Sequence, residues 1–285
     1  MIYIKKSTEP QSYRAFLNDN RKLIKTKINN HRQTGVKIWN WFKQRANGVL
    51  DDLRLKLLED QGYVCCYCGE KITNSSMAIE HLEPKNIKSN IFPFSNLYAS
   101  CIGGKEKTHN IGRNESLATL STRFNISISK LQKLNPGKSF VHKDCIKIYK
   151  SDTNGSHCDN KKNGDFLINK PDQLDIFDKI KYQFDASKKE VSVLPVNLLD
   201  IDLENDINTV LQLNQKTLKK RRAIVLNQVN SILDDIIDQA GSDEDIVTGV
   251  VNLFEDYETK KNGKFDPFYF VCMSYINELD LSHFN

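Results

Sequence analysis

Residues 63–86, YVCCYCGEKITNSSMAIEHLEPKN, hold the two features on which the reading of this chain turns. Cys65 and Cys68 form a C-x-x-C, the spacing at which one tight turn aims two thiolates at a single tetrahedral ion. A redox pair of the thioredoxin type would open a helix in a βαβ unit, whereas here CCYCGEK runs into ITNSS. Two thiols are half a zinc site, and spacing alone does not choose among the cysteines outside the cluster, Cys101, Cys145, Cys158 and Cys272. The second feature is Glu80 beside His81, with Pro84 close behind. This pair offers a hard oxygen ligand for a divalent cation next to a base whose ordinary pKa lies near neutrality. Metal-assisted phosphodiester hydrolysis needs both groups, although a Glu-His dipeptide in a surface loop would read the same.

Upstream, apolar residues recur from Val36 to Leu58 at the three-to-four spacing of an amphipathic helix, which predicts one helix leading into the cysteines with Gly62 as its C-cap. Trp39, Trp41 and Phe42 fall on that spacing and are expected in the core or a partner interface rather than as a base-stacking platform. Downstream, a second long helix is expected over 207–237, with Leu211, Leu218, Val225, Val229, Ile232 and Ile236 along one stripe. Between 165 and 206, Pro171, Pro195 and the alternating Val191 and Val193 suggest strands and turns.

A chain of 285 residues has room for roughly two domains. With 39% hydrophobic and 27% charged residues it is neither collagen-like nor low-complexity nor wholly disordered. The longest apolar run is the six residues from Phe268 to Met273, far short of the roughly 20 that span a bilayer, so no membrane partner is expected. The opening MIYIKKSTEP lacks both a long apolar stretch and a cleavage site, and a cytoplasmic protein is expected. Seven cysteines, an odd count with three of them at Cys65, Cys66 and Cys68, favour metal ligation over a disulfide framework. The formal charge of +5 permits a nucleic-acid partner without requiring one.

Read in order, YVCCYCGEK, AIEHLEPKN, SNLYASC and HCDNKKNG resemble the zinc-stabilised HNH endonuclease family. The resemblance covers roughly residues 63–164, and more weakly the chain is similar to the PtuB-type subunits of Septu and retron antiphage systems. It implies an α+β fold built on a ββα-metal core: a strand delivering Glu80 and His81, a loop with Pro84 and Pro93, a strand near 97–100 and a helix beginning near Cys158. It further implies a structural Zn²⁺ on Cys65, Cys68, Cys101 and Cys158, with Cys66 left over. His81 would be the general base, Glu80 would bind a catalytic Mg²⁺ or Mn²⁺, and Asn96 would brace the loop carrying the histidine. Asp159 stands where the family usually has asparagine or histidine; as a hard ligand it still suits the ion, with Asn160 as the alternative. Lys162 would approach a substrate phosphate, and His157 is given no role.

Cys101 and Cys158 are separated by 56 residues, and within that interval THNIGRNESLATLSTRFNISISKLQKLNPGKSFVHKDCIKIYK resembles a LysM module. Such a βααβ unit has adjacent ends and could extend from a loop without parting the two cysteines; a docking role is expected of it rather than sugar binding. The domain scheme that follows is 1–61 as an N-terminal arm, 62–104 with 151–165 as the nuclease core, 105–150 as the insertion, and 166–285 as a mainly helical C-terminal region. Lys216, Lys219, Lys220, Arg221 and Arg222 could neutralise phosphates or form a solvated helix face. The PtuB resemblance implies a PtuA-like ABC-type ATPase as partner, and in retrons a reverse transcriptase with its RNA-DNA product. No G-x-x-x-x-G-K-[ST] occurs in this chain. The preferred expectation is a metal-dependent HNH endonuclease serving an antiphage complex. Its alternatives are an inactive zinc-stabilised nucleic-acid or protein binding subunit, a nuclease directed at host RNA such as tRNA, and a redox switch at Cys65 and Cys68.

Overall fold

In the computed structural model the described residues are 3–103, 129, 132, 156–162 and 164–279; apart from residues 129 and 132 the LysM-like segment, with Cys145, His109 and His142, lies outside them. The arm consists of four helices, α1 (Gln11–Asp19), α2 (Arg21–Asn29), α3 (Gly35–Arg45) and α4 (Asn47–Asp60). The single helix expected over 36–58 is therefore two. Ala46 leaves the helical region at φ −117°, ψ 41°, and Asn47 and Gly48, both weak helix formers, begin the next segment. The bend lets Phe42 and Leu53 both reach full burial. At its far end α4 closes in a Schellman arrangement: the Tyr63 N–H donates to Leu58 O at 2.8 Å and Gly62 N–H to Glu59 O at 3.2 Å. Gly62 is at φ +62°, as its expected capping role requires.

After the cysteine cluster, β1 (Met77–His81) and β2 (Leu97–Cys101) pair antiparallel, with Met77 opposite Cys101 and His81 opposite Leu97. Gln61 extends this hairpin sideways. Its side chain accepts from the Ala99 N–H at 2.7 Å and donates to the carbonyls of Ala99 and Val64 at 2.7 and 2.9 Å, as a neighbouring strand would. A short helix, α5 (Asp159–Lys162), follows Cys158. A second hairpin joins β3 (Ile180–Asp185) to β4 (Glu190–Pro195), and the C-terminal helices are α6 (Ile201–Asn205), α7 (Lys216–Gln239), α8 (Asp243–Glu258) and α9 (Tyr269–Asn277). The described chain is thus mixed α and β.

The long helix expected over 207–237 also begins later than its apolar stripe suggests. Residues Asp206–Val210 form a π-helical turn and α7 starts only at Lys216, capped by the Gln215 side chain. Tertiary contacts claim the intervening residues. Asn214 bonds both the N–H and the C=O of Val193 in β4, at 2.7 and 2.8 Å, and the Leu211 carbonyl accepts from Cys158 N–H at 2.9 Å. One continuous core runs from Ile4 through the arm and both hairpins to Phe270 and Val271, and a smaller cluster joins α7, α8 and α9. Among the described residues no helix is long and apolar enough to cross a membrane.

Candidate functional site

The β1–β2 hairpin carries one chemical centre at each end. At the Met77–Cys101 end, the sulfurs of Cys65, Cys68, Cys101 and Cys158 all lie within 4.8 Å of one another and all four residues are buried. Cys68 and Cys101 sulfurs are 3.7 Å apart, close to the roughly 3.8 Å edge of a tetrahedron with metal–sulfur bonds of about 2.3 Å. The cysteines are free thiols, and the Cys101 N–H points at Cys65 Sγ at 3.2 Å, as it would toward a thiolate. Burial disfavours the Cys65 thiolate, yet hydrogen bonds from the thiols of Cys101 and Cys158 hold its pKa well below the ordinary value. Burial pushes the Cys158 thiol well up. Four sulfurs in this arrangement fit a zinc ion, which would take all four as thiolates.

Cys66 is fully buried and outside the four-sulfur set, with its thiol hydrogen-bonded to that of Cys65 and its N–H on Ala99 O at 3.1 Å; Cys272 lies in the separate cluster around α9. His157, expected as a bystander, sits against the thiols, its Nδ1 3.2 Å from Cys158 Sγ and 3.7 Å from Cys101 Sγ. With Glu70 and Cys101 it forms a second group of potential ligands, but that group shares Cys101 and is part of the same centre. Nothing in the sequence distinguishes His157 from the other histidines; its place follows from being the residue before Cys158.

At the other end stand Glu80 and His81, both almost wholly buried. His81 Nε2 lies 3.1 Å from the Ile91 carbonyl, which can only accept, so Nε2 carries the proton and Nδ1 is left with its lone pair. Nδ1 is buried without a hydrogen-bond partner among the described residues. Trp39 of α3 meets the imidazole edge-on at 4.6 Å between ring centroids. Burial, with the nearby Lys85 ammonium, holds the His81 pKa well below its usual value, so the ring is neutral at pH 7. Asn96 fixes the intervening loop. Its side-chain oxygen accepts from Glu83 N–H at 2.7 Å, and its amide donates to the carbonyls of Glu83 and Asn90 at 3.1 and 2.6 Å.

The short helix α5 joins the two centres. Cys158 belongs to the thiol set; Asp159, the next residue, hydrogen-bonds the Glu80 carboxyl. Burial, opposed by Lys162 and assisted by Asp159, raises the Glu80 pKa to about 7. As hard oxygen donors the two carboxyl groups suit Mg²⁺ or Mn²⁺. Asn160 is used otherwise, donating to Ser156 Oγ at 2.9 Å and Gly103 O at 3.3 Å. Lys162, expected beside a substrate phosphate, is only 1% exposed; its ammonium pairs with Glu80 at 2.9 Å and donates to the His81 carbonyl at 3.0 Å. Tyr67, inside the cysteine cluster, donates to the same Glu80 oxygen at 3.1 Å. Lys85, adjacent to Pro84, is a further neighbour of the carboxyl pair: burial lowers its pKa while Glu80 and Asp159 oppose that shift.

The expected basic face of α7 is largely consumed within the molecule. Lys219 pairs with Glu190 and Arg221 with Glu70. Arg222 is 1% exposed and points its guanidinium at the Val191 carbonyl, where burial lowers its pKa. Lys220 remains exposed.

The site so defined is a buried four-thiol knuckle bridged by a short helix to an acid–histidine pair on the same hairpin. Among curated proteins, the chain is similar to "Retron Vc95 putative HNH endonuclease" of Vibrio cholerae serotype O1 biovar El Tor, with 36% identity over 102 residues covering 30% of this chain and 50% of that protein. The chain thus spans about half the length of the curated relative it matches. No family model matches the chain, and no solved structure does.

Proposed function

We propose that this protein is a metal-dependent HNH-type endonuclease acting in a retron setting. The observation that carries the reading is the fixed tautomer of His81, whose Nε2–H is held by the Ile91 carbonyl while its Nδ1 has no hydrogen-bond partner among the described residues, on the strand that also carries Glu80 of the Glu80–Asp159 carboxyl pair. Cys65, Cys68, Cys101 and Cys158 would hold structural zinc, and Glu80 with Asp159 would hold Mg²⁺ or Mn²⁺. When bound, that ion supplies charge to polarise the scissile phosphate and stabilise the leaving oxygen. His81 Nδ1 takes the proton of the attacking water, and the Ile91 carbonyl steadies the imidazolium that forms. Asn96 keeps the 82–96 loop, and with it Ile91, in register. The name of the relative supports a nucleic-acid substrate and a retron context. In the PtuB-like reading the partners are a PtuA-like ABC-type ATPase and a reverse transcriptase with its RNA-DNA product.

The test is cleavage of plasmid DNA and total cellular RNA with Mg²⁺ or Mn²⁺, wild type against His81→Ala, with and without the neighbouring ATPase. Cutting that disappears in the variant supports the reading and names the substrate class. One observation favours the rival, an inactive binding subunit: Lys162 already neutralises Glu80. That rival predicts no Mn²⁺ binding beyond the zinc site and no cutting by the complete complex.

A further inference from the structure

The charge of this chain is unevenly placed. Residues 20–50 contain eight lysines and arginines and no aspartate or glutamate, so the remaining 33 basic residues face all 36 acidic ones elsewhere. Thus the net positive charge resides in the α2–α3 hairpin, not in α7. Arg21, Lys22, Lys25, Arg32, Lys37 and Lys43 are exposed, and none is in an ion pair among the described residues. A cationic surface without internal partners presents its full field to an anion, whereas ion-paired side chains do not.

This surface is rigidly tied to the candidate site. Lys88, in the loop following His81, donates to the carbonyls of Ile28 and Asn30 at the end of α2, at 3.3 and 2.9 Å. Gly35, the first residue of α3, packs so closely on the Lys85 carbonyl that a Cβ there would come within 1.7 Å of it. Trp39 meets His81, and Lys43 lies one helical turn further along the same side of α3. The aromatic residues of the arm are turned inward: Trp39 and Phe42 are buried, and Trp41 is half-buried with Lys27 and Arg45 over its ring at 5.0 and 5.9 Å. Single-strand binding relies on exposed aromatic platforms for stacking, and this face offers cations instead. Its chemistry is that of phosphate contact, which positions a duplex without reading bases.

We propose that the α2–α3 hairpin is the surface on which a nucleic-acid duplex lays its phosphate backbone, bringing a phosphodiester to the Glu80–His81 end of the β1–β2 hairpin. The orientation rests on the nuclease reading; the binding does not.

The experiment measures binding by fluorescence anisotropy across a KCl series, using full-length His81→Ala protein so that no cleavage intervenes. The probes are a DNA duplex, an RNA duplex of the same sequence, and the single strands. Replacing Lys22, Lys25, Lys37 and Lys43 together by glutamine should weaken duplex binding roughly 10²-fold or more near physiological salt. It should also reduce the slope of log affinity against log salt by up to about 3.6, since each phosphate contact contributes about 0.9. The same four positions changed to arginine should restore both, which separates charge from folding. Lys216→Gln with Lys220→Gln should change affinity less than about twofold, as expected of surface charges that make no contact. Loss on the DNA duplex, the RNA duplex or both supports the proposal and names the substrate. Unchanged affinity and slope, loss confined to single strands, or no duplex binding by the starting protein at low salt would overturn it. Duplex binding through these lysines without cleavage by the His81-containing protein in any metal would sink the nuclease reading and leave this surface standing.

Discussion

The two ends of the β1–β2 hairpin make opposite use of burial. At the Cys101 end, burial gathers four like groups whose sulfurs a single ion would satisfy together, which would close the centre. At the His81 end, burial leaves polar groups unfinished: an imidazole nitrogen without a hydrogen-bond partner among the described residues, and a Glu80–Asp159 carboxyl pair beside the ammonium groups of Lys162 and Lys85. A closed centre stabilises, and an unfinished one is where chemistry can be added. The closed centre also builds the open one, because Tyr67, Asp159 and Lys162, which all address Glu80, are held by the knuckle or by the helix that leaves it.

The largest expected effect follows from that dependence. Cys158→Ser should lose stoichiometric zinc, measured by metal analysis, and with it the cooperative melt, since structural zinc is worth on the order of 10 kcal/mol of apparent binding energy in small zinc folds. Cys272→Ser should keep both. If Cys158→Ser kept zinc and cleavage, the two ends would be independent. Next, Asn96→Ala removes three hydrogen bonds around the 82–96 loop and should cost roughly 2–3 kcal/mol in denaturant melts, with zinc retained. Cleavage should fall because the Ile91 carbonyl loses its place.

These two centres differ in how much of them was legible in the sequence. Cys65 with Cys68, and Glu80 with His81, stand out by their spacing, whereas Cys101, Cys158 and Asn96 were implied by the resemblance to the HNH family; the structure gathers the four sulfurs and ties Asn96 into the loop that follows His81. The charged residues were not legible in the same way. Lys162, Arg221 and Arg222 read as solvent-facing cations, yet each meets a partner supplied by a distant segment: Glu80, Glu70 and the Val191 carbonyl. Sequence reports a charge but not whether it is already matched. The break at Ala46 escaped because apolar spacing continues through it, and Gln61 and His157 owe their roles to β2 and the thiols folding against them.

Smaller effects sharpen the coupling. Tyr67→Phe removes one hydrogen bond between the knuckle and Glu80; it should leave zinc in place and shift Mn²⁺ affinity by roughly 10-fold, read by titration. No shift would mean that Tyr67 merely fills space. The least is a pH effect at Lys6, whose ammonium sits over Phe94 at 3.7 Å and donates to Leu97 O, opposite His81, at 2.7 Å. Burial lowers its pKa from 10.5 to about 7. Between those values the unfolded chain binds the extra proton, so folding stability should rise with pH. Relative to Lys6→Met, wild type should therefore gain stability from about pH 7 to 10 in paired melts; a constant difference would place Lys6 in water.

The most direct test of the central claim, that His81 Nδ1 is the base of an otherwise complete site, is chemical rescue of His81→Ala with free imidazole under single-turnover conditions with Mn²⁺. The account predicts a loss of at least about 10²-fold in cleavage rate with zinc and melting temperature unchanged, and partial recovery as imidazole is added. Full cleavage by His81→Ala without imidazole would contradict it.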